Sequence, residues 1–225
     1  MHAEDRLIHF STELIHPPAL HDKADLQRLY FELAQTPAAY DNTDFTVPGQ
    51  PRFHSLRGRT QSVASFVADR VVLIEEWADI PLADFLDKVR EVTTRACDVL
   101  SIPVYPVQAV TLRSTFVLTH FVDARAFLLD HVCGQQGRIM PFFGRPIGTG
   151  GIRVEFPQTP DHPGDYHVLM QSFRNTINEV FVEVRAIFNG APILRENLAP
   201  ATENIAQVRS FITDKVFPYL NQYDR

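Results

Sequence analysis

The chain has 225 residues, 45% of them hydrophobic and 21% charged, with a formal net charge of -6. This is globular composition, which excludes a disordered chain and supplies one sizeable core or two smaller ones. The acidic balance gives no general attraction to nucleic acid or to an anionic membrane, and no uncharged apolar run nears the ~20 residues of a membrane span.

Arg6 to Leu14 reads as a strand, with Leu7, His9, Ser11 and Glu13 alternating against Ile8, Phe10, Thr12 and Leu14. His16-Pro17-Pro18 ends it, because proline lacks a ladder donor and constrains the residue before it. Asp22 or Lys23 to Gln35 then forms a helix whose apolar face is Leu26, Leu29, Tyr30 and Leu33. From Tyr40 to Trp77 the pattern is a small antiparallel meander. Its clearest strands are Gln61 to Val67 and Arg70 to Trp77, joined by a tight turn at Ala68-Asp69 and preceded by a loop at Pro48-Gly49-Gln50-Pro51. A long amphipathic helix runs from Pro81 to about Leu100, with Leu82, Phe85, Leu86, Val89, Val92 and Ala96 on one face.

The same order of elements then begins again. Val107 to Thr119 is a long strand with Val110, Leu112, Phe116 and Leu118 on one face and Thr111, Arg113, Thr115 and Thr119 on the other. Asp123 to Cys133 reads as a helix, and Ile152 to Phe156, Tyr166 to Arg174 and Glu179 to Phe188 as three strands. Pro200 or Ala201 to Tyr219 is a closing helix. The expected fold class is therefore α+β, with mixed or antiparallel sheets packed by helices. Residues 1–102 and 103–225 form two β-α-β-β-β-α halves of one compact unit, a tandem duplication of element order rather than residue identity. Chance recurrence of that order is the alternative, and superposing the halves distinguishes the two.

Motifs for known chemistries are sparse. Phe143-Gly144-Arg145-Pro146-Ile147-Gly148-Thr149-Gly150-Gly151 is the one glycine cluster, but it lacks the Lys-Ser/Thr of a P-loop and leads into a strand, so it reads as a turn. The nine histidines show no ligand spacing, and no metal or cofactor is expected. No serine sits in a nucleophile elbow, and Cys97 and Cys133 read as buried helix residues with nothing to activate a thiolate. Glu75 and Glu76 are neighbours on a strand, so they point to opposite faces and cannot act as an acid/base pair; one is expected at a buried edge and one in solvent. With no export signal evident and two cysteines, the expected location is a reducing cytoplasm.

The most suggestive charges are on strands of the second half: Arg113, Arg153, Glu155, Arg174, Glu183 and Arg185. Solvation of an open sheet face accounts for them. The sharper alternative is an arginine-lined cleft between the halves that binds an anionic small molecule through Arg113, Arg153, His167, Arg174 and Arg185, and convergence of those side chains decides between the two.

The closing stretch Asn204-Ile205-Ala206-Gln207-Val208-Arg209-Ser210-Phe211-Ile212-Thr213-Asp214-Lys215 and the strand Val110-Thr111-Leu112-Arg113 resemble a sporadically distributed family of bacterial proteins of similar length and unassigned function. The resemblance implies a related fold and no activity. Two functions from different classes remain. The first is a non-catalytic binding or assembly protein, a homo-oligomer or subunit of a complex, with a protein partner or self-association expected and no membrane. The second is a small-molecule sensor or enzyme using the arginine-lined cleft, with Arg113, His167 and Arg185 as its leading residues. A third, single-stranded nucleic-acid binding through Phe53-His54-Ser55-Leu56-Arg57-Gly58-Arg59, is disfavoured by the net negative charge.

Overall fold

A computed structural model describes residues 6–174 and 176–225. Period-2 alternation places one apolar row of each strand on the same side, and nine strands join in a single antiparallel sheet. In chain order these are β1 (Arg6–Ile15), β2 (Asn42–Asp44), β3 (Arg52–Arg57), β4 (Thr60–Val67), β5 (Arg70–Glu76), β7 (Val107–Val117), β8 (Gly151–Phe156), β9 (Gly164–Ser172) and β10 (Glu179–Phe188). Two-residue strands β6 (Val104–Tyr105) and β11 (Ile193–Leu194) pair separately. The order across the large sheet is β2-β3-β4-β5-β1-β7-β10-β9-β8.

β1 and β7 lie side by side at the centre, paired from Ile15↔Val107 to Arg6↔Thr115 with a register shift between Leu7 and His9. Outward from this pair the strand order recurs: β5, β4, β3 on one side and β10, β9, β8 on the other, with β2 as an extra short strand at the first edge. The two runs of strands are therefore joined by a hydrogen-bonded strand pair, and one hydrophobic core runs beneath both.

Helices cover one face. In α1 (Lys23–Leu33), capped by Asp22, Leu26, Leu29 and Leu33 are buried, and in α2 (Leu82–Val99) Phe85, Val89, Val92 and Ala96 are. α5 (Ala199–Phe211) packs against α2, β7 and β10, and its turns continue through a π-turn segment, Ile212–Val216, into α6 (Phe217–Asn221). Under them lie Phe10, Thr12 and Leu14 of β1, Val110 and Leu112 of β7, and Val182 and Val184 of β10. The opposite face stays open, and its residues are mostly half-exposed.

Two expectations require correction. The stretch expected as one helix from Asp123 to Cys133 is a single α-turn, α3 (Ala124–Ala126), followed by a π-turn segment, Phe127–Val132. Cys133 is exposed beyond that segment, and only Cys97 is buried. Phe53 is fully buried in the core, so the Phe53–Arg59 stretch offers no such stacking platform for a base. The glycine cluster behaves as a turn: Gly144 closes the short α4 (Ile139–Phe143) at φ 62°, a left-handed position that glycine takes without strain. No described helix is long and apolar enough to cross a membrane.

Candidate functional site

The two adjacent glutamates of β5 are sent to opposite faces by the pleat, and each gathers its own polar group. Glu75 points under the helices, where a lone carboxylate is costly. Lys88 of α2 answers it, with Nζ donating to Glu75 Oε1 at 2.6 Å and to Ser62 Oγ at 2.8 Å, while the Ser62 hydroxyl donates to the same Oε1 at 2.6 Å. The Glu75 and Lys88 side chains are 3% and 14% exposed, so the pair is largely shielded from water. The Lys88 ammonium also lies 5.1 Å from the centre of the Tyr40 ring. Tyr40 itself is buried, and its hydroxyl has no hydrogen-bond partner among the described residues. Burial, reinforced by the charge of Glu75, pushes its phenol well above the ordinary value.

Ser62, Glu75 and Lys88 form the floor of a cavity of about 480 Å³ between the first half of α2 and the ends of β3, β4 and β5. Trp77 begins the turn that leads to its rim. This residue takes a left-handed conformation at φ 51°, with Thr60 Oγ1 donating to its carbonyl at 3.0 Å and the Arg59 guanidinium 4.2 Å from its ring. The turn carries the chain from β5 to Asp79 and Ile80, which line the mouth with Asp84 and Asp87 of α2. Both hydrogen bonds to Glu75 fall on Oε1, leaving Oε2 and one Lys88 ammonium hydrogen uncommitted. The arrangement offers fixed donors and acceptors, with more carboxylates than bases around the entrance.

Glu76 faces the open side, in a row to which the four central strands each contribute one residue: Glu76, His9, Arg113 and Glu183. Arg113 Nε donates to Glu183 Oε2 at 2.6 Å, and its Nη1 lies 3.8 Å from Glu76 Oε2. His9 Nδ1 donates to the Glu76 carboxylate, an acceptor only, and Nε2 lies 3.0 Å from Ser11 Oγ. Burial holds the His9 pKa below the usual histidine value of 6.5, with Arg113 adding to the effect and Glu76 and Glu183 opposing it.

The sign of the resulting pH dependence follows. Just below pH 6.5 the unfolded chain binds a proton that folded His9 refuses, so stability is full above that value and falls as pH drops toward the lower folded one. Denaturant titrations from about pH 7 to about pH 5.5 are expected to show a steeper loss for the wild-type protein than for His9→Gln. Equal slopes would remove His9 as the source.

Of the five residues proposed for an anion cleft, Arg113, Arg153, His167 and Arg185 share the open face, while Arg174 lies exposed in the β9–β10 turn. Three of them lie beside carboxylates. Arg113 meets Glu183, Arg153 Nη2 is 3.1 Å from Glu155 Oε1, and His167 Nδ1 is 3.4 Å from the same oxygen. Neither the cavity above nor a second one of about 290 Å³ beside α4 is lined by any of the five. Among the described residues no three His, Cys, Asp or Glu side chains are grouped to hold a metal ion.

Fold and site together define an α+β chain with a polar, partly enclosed cavity beneath α2. No family model and no curated protein sequence matches it. Among solved structures it is similar to the di-domain ARO/CYC StfQ from the steffimycin biosynthetic pathway, over 96% of this chain and 98% of that one, at 9% identity. The TM-score is 0.24, and a likeness of that degree carries no argument.

Proposed function

We propose that the protein is a binding protein that takes a small polar molecule of cationic character into the cavity between α2 and β3–β5. The reading rests on one observation: a buried Lys88–Glu75–Ser62 network with uncommitted valences forms the floor of a cavity large enough for a small ligand. The carboxylates Asp79, Asp84, Asp87 and Glu91 outnumber the bases Arg57 and Arg90 around the mouth, which favours an amine over the anion suggested by the arginines of the second half. We place the protein in the cytoplasm, where its two free thiols persist.

Isothermal titration with putrescine, spermidine, arginine and inorganic phosphate tests this. At least one amine is expected to bind the wild-type protein, and the exposed-rim variant Asp79→Asn/Asp84→Asn is expected to weaken it about tenfold, for two charge contacts of roughly 0.7 kcal/mol each. Binding of phosphate in preference to every amine, or amine affinity indifferent to the rim variant, would overturn the proposal.

A further inference from the structure

β8 is the outer strand of the sheet, and its free edge is self-complementary at one register. Ser172 N donates to Gly150 O at 2.8 Å, which makes 150 and 172 a hydrogen-bonded pair. In an antiparallel ladder such pairs alternate, so Ile152, Val154 and Phe156 bond to β9 while the N–H and C=O groups of Gly151, Arg153 and Glu155 point away from it. The close approach of Gly151 to Gln171, where an added Cβ would lie 2.8 Å from the Gln171 Cβ, agrees with a non-bonded pair there.

A second β8 laid antiparallel against this edge must pair outward-pointing residues with outward-pointing residues. Three registers do so near the strand centre. One sets Arg153 opposite Arg153 and another sets Glu155 opposite Glu155, and both are repulsive. The third sets Arg153 opposite Glu155 and, by symmetry, Glu155 opposite Arg153. The twofold axis then passes through Val154, and the helix-facing side brings Ile152 against Phe156 and Val154 against its own copy. Phe156 is 46% exposed in the isolated chain, and this contact would cover it. Edges that avoid association are commonly blunted by like charges, proline or short length. β8 has six residues, no internal proline, and one base and one acid spaced two apart, so its charges repel in the wrong registers and attract in a single one. Arg153 and Glu155 pair with each other within the chain, but side-chain exposures of 68% and 58% leave both accessible to exchange that contact for one across the axis.

We infer that the protein forms a symmetric dimer through antiparallel β8–β8 pairing centred on Val154, which extends the sheet continuously across two copies. The interface is separate from the cavity in the first half, so its failure leaves the ligand proposal standing, and the reverse holds too.

Light scattering after size exclusion over a range up to about millimolar protein, with hydrogen exchange on the same samples, tests it. The wild type is expected to dimerise reversibly, and the amides of Gly151, Arg153 and Glu155 are expected to gain protection with concentration, while those of Ile152 and Val154 are protected throughout. Arg153→Glu and Glu155→Arg each place like charges opposite one another and are expected to weaken the dimer at least about tenfold, and the double exchange is expected to recover it. A wild type that stays monomeric, a dimer indifferent to both single variants, or a double variant that fails to recover would overturn the inference. Circular dichroism establishes that each variant is folded, as expected for substitutions on an exposed edge.

Discussion

Lys88→Met is expected to lower the unfolding free energy by about 3–5 kcal/mol, the usual cost of leaving one member of a buried ion pair without the other. The magnitude follows from the surroundings. Glu75 is held beneath α2 with two donors on a single oxygen, and removing Lys88 leaves it with the Ser62 hydroxyl alone. Glu75→Leu combined with Lys88→Met is expected to recover most of the loss, since replacing both charges with apolar groups of similar volume removes the desolvation penalty along with the attraction. Tyr40→Phe is expected to be neutral or slightly stabilising, because the hydroxyl it deletes has no partner. Urea unfolding at constant m-value measures all three. A loss below about 1 kcal/mol for Lys88→Met would mean that water from the cavity solvates Glu75 as well as the lysine does, as in an exposed pair.

The sequence allowed the separation of the two glutamates to be read directly, because strand alternation fixes it without knowledge of any neighbour. It also carried an unused signal for Lys88. Phe85, Lys88, Val89 and Val92 lie at i, i+3, i+4 and i+7 of α2, so a lysine interrupts an otherwise apolar stripe, and a charge on a buried stripe calls for a partner. Which partner was not legible. Ser62 and Glu75 are brought to it by the packing of α2 over the sheet, and Tyr40 by a loop with no periodicity of its own. The arginines were placed on one face by the same alternation, but the pairing of Arg113 depended on register. Arg113 meets Glu183 only because β7 and β10 pair with those two residues opposite, a contact 70 residues apart in the chain. The π-turn of Phe127–Val132 had no signature either, since its apolar positions fit an ordinary helix as well.

Asp224 makes the other large contribution expected of a single side chain. The penultimate residue folds back against the loop after β7, where Oδ2 accepts from the Thr119 amide and hydroxyl, each at 2.8 Å, and Oδ1 accepts from the His120 amide at 2.9 Å. The carboxylate is 2% exposed, and its acceptors satisfy backbone donors at a point where the chain has left the sheet. Asp224→Ala strands those donors and is expected to cost about 2–4 kcal/mol, from charge-assisted bonds of roughly 1.5–3 kcal/mol offset by water reaching the loop. Asp224→Asn keeps one acceptor oxygen and should fall between. Burial alone would raise the carboxyl's pKa, but the amide and hydroxyl donors of Thr119 and His120 outweigh it and hold the value below the usual 3.8. The folded chain thus releases this proton more readily than the unfolded one. The stabilisation is fully present above about pH 4 and is lost as pH falls through the lower folded value. Acid unfolding followed by circular dichroism is expected to begin at higher pH in Asp224→Asn than in the wild type. Coincident acid transitions would assign the closure of α6 on the sheet to its apolar contacts, in which Phe217 packs on Phe116 with ring centres 5.5 Å apart, and leave the carboxylate no part in it.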